Sequence, residues 1–303
     1  HHAPFFSHLF FYFLCVLHCS THHPSSLYQD AVQVPLRTRP PRRLFGKQRP
    51  RSRPRRLQCQ CPEPVSRQPA SLIQYRPPDT HSLAFHSYPE DCQYDVTRKM
   101  FYQSNLWKGR IRVTDSTKNT GFNVLIPNVS STGYGDQQLS GLSLNTRTGA
   151  NRLYAVAKDK NAFNFGPNQS STGPSSFHAF SLPVNANSNP VWSVNLNDVQ
   201  NTFALTNGGK RPFGPVGSAY ADGFLYVVFA LGYPAIAKIS EDGKVVSAWY
   251  AEASNNNQRP GFTGITYSPS AKKLIAYGGP RILTTFDLSS GDGLPHMNAV
   301  SVS

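Results

Sequence analysis

Charged residues and long apolar runs are both scarce in this chain of 303 residues. Asp, Glu, Lys and Arg make up 15% of it, whereas about a quarter is usual for a soluble domain. No apolar run approaches the ~18 residues of a membrane-spanning helix, and five cysteines are too few for a disulfide-dense miniprotein. H-E-x-x-H, G-x-S-x-G, the Walker loop and a G-x-G-x-x-G after a strand are absent, which excludes the enzyme classes that depend on them.

Gly, Ser, Asn and Thr are plentiful instead, which favours turn-rich β structure over helical bundles. The composition nevertheless changes sharply near residue 88. Residues 1–88 hold 12 of the 30 Lys and Arg, 12 of the 25 Pro, 8 of the 10 His and 4 of the 5 Cys. They hold only 3 of the 16 acidic residues, one of the 22 Gly and no Asn, so +9 of the net charge of +14 lies there. The chain therefore consists of two segments of different composition, residues 1–88 and residues 89–303.

The first segment, residues 1–88, is expected to be a disordered or non-native basic stretch rich in Pro and Arg. Residues 5–15 are apolar enough for the core of a secretory leader, but no basic residue precedes them. Residues 37–56 carry ten basic residues and no acid, so they would bind nucleic acid or another polyanion if this segment is genuine protein. The absence of Asn from residues 1–88 would also be explained if this segment were a normally untranslated stretch fused to a genuine protein. Cys59 and Cys61 lack the second pair of a zinc site.

The second segment, residues 89–303, is a series of four similar units with no helix of ten or more residues expected. Each unit opens with a small residue, passes through a polar turn into an apolar strand and, where intact, continues into an alternating strand. The opening residues are Cys92, Gly141, Gly217 and Gly264, which lie 49, 76 and 47 residues apart. Apolar strands are predicted at 99–102, 153–156, 224–229 and 274–277, and alternating strands at 110–113, 235–239 and 282–286.

A period of about 40–50 residues with three or four strands per unit is typical of β-propeller blades. One blade has two apolar faces, and stacking blades around an axis buries both of them. Six blades of ~45 residues need about 270 residues, whereas only 215 follow residue 88. The sequence therefore predicts an all-β fold, a β-propeller of six-bladed type, with an incomplete ring of four to five blades in this chain.

Few residues of the second segment suggest a catalytic or ligand-binding role. His178 could in principle join a Ser-His-Asp arrangement, but a surface position in a loop-rich segment is the simpler interpretation. Most strand aromatics are expected to pack between blades, with a few turned toward the axis to form an apolar pocket with polar tips. Asn128 and Asn168 begin N-glycosylation sequons. Cys92 is expected to be a buried and inert side chain.

Residues 89–293 resemble a fungal propeller family that includes the trichothecene-cluster virulence protein and the major cell-wall allergen of Malassezia. The stretches that carry the resemblance are PEDCQYDVTRKMFYQSNLWKGRI, GLSLNTRTGANRLYAVAKD and GFTGITYSPSAKKLIAYGG. The resemblance implies a secreted or cell-wall six-bladed propeller without an established enzymatic reaction and, in the allergen, a pocket that accepts lipid. Because these are framework motifs, the resemblance assigns no ligand-binding residue to this chain.

The stretch E-D-C-Q-Y-D-x5-F-Y, residues 90–102, is also similar to the opening of senescence-marker-type lactonases, where the matching Glu binds a metal. That resemblance makes Glu90 a candidate ligand of Ca²⁺ or Zn²⁺. Thr263 stands where the family has an Asn ligand, and Gly278 and Gly279 replace a later acidic residue. A metal site would therefore depend on Glu90 alone, and a turn-capping carboxylate is the competing role.

The residues and the resemblance together predict a secreted or cell-wall-associated, non-catalytic fungal propeller. It is expected to bind a lipid or another hydrophobic small molecule, without a cofactor, in secondary metabolism or virulence. The alternative is a divalent-metal lactonase that uses Glu90. A nucleic-acid partner is expected only through residues 37–56.

Overall fold

The computed structural model of the chain describes residues 88–132, 135–146, 151–164, 166–252, 260–278 and 282–301. Within these ranges the chain forms sixteen β-strands and one helix. The expectations for residues 1–87, including the apolar stretch 5–15 and the basic run 37–56, lie outside the described residues.

The strands form four antiparallel sheets of four strands, and every sheet takes its strands in chain order. The first sheet contains β1 (Pro89–Asp95), β2 (Met100–Asn105), β3 (Arg110–Asp115) and β4 (Thr120–Leu125). The second contains β5 (Gln137–Asn145), β6 (Arg152–Asp159), β7 (Ser176–Ser181) and β8 (Trp192–Asn195). The third contains β9 (Phe213–Ala221), β10 (Phe224–Leu231), β11 (Ala235–Ser240) and β12 (Val246–Ala251). The fourth contains β13 (Gly264–Ser268), β14 (Lys273–Tyr277), β15 (Ile282–Asp287) and β16 (His296–Ser301).

A four-stranded meander for each sequence repeat is the building unit of a propeller, so the predicted all-β propeller class is confirmed. Each strand named from the sequence lies within a strand of the structure or starts one residue before it. Within the described residues the sheets follow one another from the first to the fourth and do not close into a ring. An incomplete ring of four to five blades was the expectation from the chain length.

Aspartates at strand ends build several of the hairpin turns. Asp95 Oδ1, at the end of β1, accepts hydrogen bonds from the main-chain N–H groups two and three residues later, both at 3.0 Å. Asp115 Oδ1 repeats this arrangement after β3, at 2.8 and 3.2 Å. Between β9 and β10, Asp222 and Gly223 both have positive φ, 49° and 84°, as a two-residue hairpin turn requires. These local turns explain why the repeats are readable from the sequence.

Glycine allows the innermost strands β5 and β9 to lie against each other. A Cβ at Gly141 on β5 would collide with the carbonyl oxygen of Val216 and lie 2.7 Å from Cα of Gly217 on β9. A Cβ at Gly217 would be 3.8 Å from Cα of Gly264 on β13. The small residues that open the sequence repeats therefore mark where neighbouring sheets come closest at the axis.

Apolar side chains between neighbouring sheets form three separate cores. Along β6, Leu153 and Ala155 pack toward the first sheet, whereas Tyr154 and Val156 pack toward the third. A further cluster around Phe286 lies between the third and fourth sheets. Burial of one such large side chain contributes about 1.5–3 kcal/mol. One strand therefore contributes to two cores, as expected for blades with two apolar faces, and Tyr154 confirms that strand aromatics pack between sheets.

The expectation that the second segment lacks a helix of ten residues was wrong. Asn197–Thr206 form a ten-residue helix, α1, between β8 and β9. The segment is rich in Asn and Thr and has no side-chain cap at its start, so its local propensity is weak. Packing stabilises it instead, because Val199 and Phe203 are buried and the Phe203 ring meets Phe229 edge-on with centroids 6.0 Å apart. Among the described residues no helix has the length and apolarity to cross a membrane.

Candidate functional site

A cavity of about 220 Å³ opens where the innermost strands β1, β5, β9 and β13 end. Its walls come from all four sheets, so it lies at one end of the propeller axis. Each strand supplies one or more polar or aromatic side chains, among them Gln93, Ser143, Ser218 and Thr266. The sequence predicted an apolar pocket with polar tips near the axis, whereas more of the surface of this cavity is polar than apolar.

Three tyrosines occupy the same position in three repeats and line this cavity. Tyr94, Tyr220 and Tyr267 each pair with the second residue of the following strand, as the strand register shows. Tyr220 stacks on Tyr154 of the second sheet, with centroids 6.3 Å apart and an interplanar angle of 7°. The Tyr267 hydroxyl donates to the Asp222 carboxylate at 3.3 Å. The rings of Tyr220 and Tyr267 are therefore each held by a residue of the preceding sheet.

Glu241 connects the second and third sheets beside this cavity. Its Oε1 accepts from Asn145 Nδ2 at 3.2 Å, and its Oε2 accepts from the Tyr220 hydroxyl at 3.1 Å. Burial, together with Glu241, raises the pKa of Tyr220, so the phenol stays protonated and acts as a donor. A second link is the 2.7 Å hydrogen bond between the Ser143 and Ser218 hydroxyls. The cavity wall is therefore fixed by contacts between sheets and not by one sheet alone.

Glu90 lies near the opposite end of β1 and is paired with a lysine. Its Oε1 is 2.8 Å from Nζ of Lys158, a side chain only 3% exposed. Lys158 Nζ also lies 4.4 Å from the centroid of the Phe163 ring. The second carboxylate oxygen of Glu90 is buried without a hydrogen-bond partner among the described residues. Glu90 therefore has a cationic neighbour supplied by the protein itself.

The residues around Glu90 do not fit a divalent cation. Asp91, the adjacent acid, accepts main-chain N–H groups of Leu142 and Cys92, both at 2.7 Å. Burial is the main cause that raises the pKa of Asp91 to about 6, and the charge of Glu90 adds to it. The described part of the chain contains no group of three His, Cys, Asp or Glu that could hold a metal ion. No reaction step is derived through a metal, and a metal-ligand role for Glu90 stays a prediction.

Two minor expectations about side-chain environment were wrong. His178 is not a loop residue at the surface: it lies on β7 and is only 4% exposed. It faces the first sheet together with Phe180, two positions later on the strand, so alternation along β7 buries it. Cys92, expected to be buried, is partly exposed, because it lies on the first sheet, which among the described residues has a neighbouring sheet on one side only.

His178 is held between two serines. Its Nε2 lies 2.8 Å from Ser176 Oγ and its Nδ1 lies 2.8 Å from Ser193 Oγ. Burial lowers the pKa of His178 to about 4, so the imidazole is neutral at physiological pH. Both ring nitrogens are occupied by hydroxyls, and no carboxylate among the described residues orients the ring as a Ser-His-Asp arrangement requires.

Both predicted glycosylation sequons are at the surface. Asn128 and Asn168 are exposed residues of turns, and Asn128 has a positive φ of 63°. Ser130 of the first sequon donates from Oγ to the carbonyl oxygen of Gly109 at 2.6 Å, which fixes this turn against the neighbouring loop. Both asparagines therefore have accessible side chains, and their glycosylation stays a prediction.

The sequence predicted that a few strand aromatics would face the axis, but it singled out none of these three tyrosines. The missed signal is the position of each tyrosine relative to the hairpin turn that follows it. Aligning the repeats on their turns places the three tyrosines in one column, which the small opening residues alone do not show.

Comparison with known proteins now assigns the family. The model of the family described as Mal s 1 allergenic protein-like matches residues 70–303. The chain belongs to this family. Over 202 residues it is 56% identical to the major allergen Mal f 1 of Malassezia furfur. The matched region covers 66% of this chain and 57% of that protein. The crystal structure of the major allergen Mala s 1 of Malassezia sympodialis has a TM-score of 0.62 at 56% identity, over 66% of this chain and 60% of that one.

Membership of the Mal s 1-like family confirms the resemblance of residues 89–293 to the Malassezia allergen propellers. The chain spans less than two thirds of the length of the two relatives named above. The likeness to the trichothecene-cluster protein stays a prediction.

Proposed function

We propose that this Mal s 1-like chain is a secreted or cell-wall-associated, non-catalytic propeller protein that binds a lipid or another hydrophobic small molecule at its axial cavity. The observation that carries the proposal is the set of three equivalent tyrosines, Tyr94, Tyr220 and Tyr267, around one cavity. Aromatic rings with hydroxyl ends suit an amphiphile, because the rings pack on its apolar part while the hydroxyls bind its polar end. The allergen relatives support a place outside the cell, and a role in secondary metabolism or virulence belongs to the same proposal.

The size and charge of the cavity limit the class of ligand that it can hold. Its volume of about 220 Å³ is below the range of about 300–1,000 Å³ that holds a drug-sized molecule, so it fits one end of an amphiphile. Asp222 is the only charged residue among the described lining residues, and it already accepts from Tyr267. A neutral polar end therefore fits better than a carboxylate, which would lie close to Asp222 without a counter-charge.

The two side chains that could act in catalysis, Glu90 and His178, are already bound to other side chains of the protein, which supports a binding role. Glu90 is paired with Lys158 at 2.8 Å, and both ring nitrogens of His178 contact serine hydroxyls. Neither group lines the axial cavity.

Native mass spectrometry of the purified full chain with a neutral amphiphile, monooleoylglycerol, tests the proposal. The matched variants are Val96→Asp at the cavity, where Val96 is 55% exposed, and Val245→Asp in the β11–β12 turn, where Val245 is 61% exposed and lies outside the lining. We expect one bound lipid for the unchanged chain and for Val245→Asp, and much less for Val96→Asp, because a charge at the rim is costly beside an apolar ligand. Absence of lipid on the unchanged chain, or equal binding by both variants, would refute the proposal.

A further inference from the structure

A second and larger groove lies between the first and second sheets, away from the axis. It has a volume of about 540 Å³, within the range of about 300–1,000 Å³ that is usual for ligand sites. One wall is the loop at 127–129 that follows β4, and the other is formed by β7, β8 and the loops beside them. No residue of this groove lines the axial cavity.

The lining of the groove carries no charged side chain. None of its fifteen described residues is Lys, Arg, Asp or Glu, although the chain carries 30 basic and 16 acidic residues. Amide and hydroxyl side chains supply its polar groups, while more of its surface is apolar, with Pro127, Pro174 and Pro190 among the apolar residues. A charged ligand would lack a counter-ion here, so the groove fits a neutral molecule that is rich in hydrogen-bonding groups.

The buried His178 orders part of this lining. One neutral tautomer satisfies all its contacts: Nε2–H donates to Ser176 Oγ, whose hydroxyl donates to Gln137 Oε1 at 2.8 Å. Ser193 then donates its hydroxyl hydrogen to His178 Nδ1 at 2.8 Å. Since Ser193 is exposed, its oxygen lone pairs face the groove as acceptors for a ligand hydroxyl.

Two side-chain amides of the lining have no hydrogen-bond partner among the residues that the structure describes. The side chains of Asn128 and Asn189 are exposed and form no hydrogen bond with any described residue. Each offers a carbonyl acceptor and an N–H₂ donor, a combination that pairs with neighbouring hydroxyls of a sugar. The indole of Trp192 donates from Nε1 to the carbonyl oxygen of Glu241 at 3.1 Å and packs toward the third sheet, so it gives the groove no aromatic face.

We propose that this groove binds a neutral oligosaccharide of two or three sugars. The amides of Asn128 and Asn189 and the Ser193 hydroxyl bind its hydroxyls. The same chemistry has two possible sources, a separate saccharide or the N-linked glycan of the chain itself, because Asn128 is both a lining residue and a sequon asparagine.

The first experiment uses the full chain from a bacterium that adds no glycan. Binding of chitotriose, laminaritriose, maltotriose and mannotriose is measured by isothermal titration, with the acidic trigalacturonic acid as the charged comparison. We expect binding of at least one neutral trisaccharide and none of the acid. Asn189→Ala and Ser193→Ala should each weaken it at least about fivefold, since each removes one hydrogen bond. No binding of any neutral trisaccharide overturns the proposal.

Two controls separate this site from other effects. Asn187→Ala alters an exposed amide of the same loop that is not part of the lining, so it should bind like the unchanged chain. Val96→Asp alters the axial cavity only and should also leave saccharide binding unchanged. Thermal unfolding of every variant shows that it is folded. Equal affinity in the unchanged chain, Asn189→Ala and Ser193→Ala would also overturn the proposal.

The second experiment identifies the source of the saccharide. The chain is made in a secretory host and titrated with the same trisaccharide beside the bacterial chain, which carries no glycan. Binding only by the bacterial chain supports the glycan on Asn128 as the occupant, whereas equal binding by both forms supports a separate saccharide. Binding in neither form, although the bacterial protein was folded, contradicts both.

Discussion

Substituting the glycines that open the second and third repeats gives the sharpest test of the inner-strand packing. Gly141 and Gly217 hold equivalent places and neither has a positive φ, so alanine fits both backbones. A Cβ at Gly141 would collide with the Val216 carbonyl oxygen, whereas the nearest atom to a Cβ at Gly217 is a Val228 methyl at 3.5 Å. Gly141→Ala should therefore push two sheets apart, while Gly217→Ala should be accommodated.

The two substitutions should change the free energy of unfolding in opposite directions. Overpacking of this kind costs about 1–3 kcal/mol. Gly→Ala at a compatible position stabilises a protein by about 0.4–1 kcal/mol through the unfolded chain. The two variants should thus differ by about 1.5–4 kcal/mol in the free energy of unfolding, and their Tm values by at least about 3 °C. Urea and thermal unfolding of the full chain measure the difference. Equal midpoints, or a lower one for Gly217→Ala, would refute the close approach of β5 and β9.

Three further predictions follow from buried charge and surface chemistry. Lys158→Met should cost about 3 kcal/mol at neutral pH because it leaves the Glu90 carboxylate without its cation, and adding Glu90→Gln should restore most of the loss in urea unfolding. Burial raises the pKa of Asp91 from 3.8 to about 6, so its neutral form stabilises the fold. The free energy of unfolding should accordingly fall as the pH rises from about 4 through 6, and Asp91→Asn should flatten that slope in unfolding curves at several pH values. In a secretory host, Asn128→Gln and Asn168→Gln should each lower the protein mass by one glycan; an unchanged mass for either variant would show that its sequon is unused.

The strands were predictable because their signals are local. Asp222-Gly223 marks a two-residue turn, and the apolar run 224–229 that follows it can bury both faces only between two sheets. Helix α1 was missed because its stability comes from Phe203 packing on Phe229, two residues brought together by the fold and not by the sequence. The burial of His178 was missed for the same reason, since the first sheet that it faces lies in a different repeat.

The same packing explains why framework motifs identify the family but not a ligand. Gly141, Gly217 and the residues around them draw the innermost strands together, so little space is left along the middle of the axis. The two cavities described above lie beyond that contact, one where β1, β5, β9 and β13 end and one between the first and second sheets. The side chains at those two places are set by strand ends and loops, which the repeat pattern constrains least. A relative could therefore keep every opening glycine and turn aspartate of this chain and still differ at Tyr220 at the axis or at Asn189 in the groove.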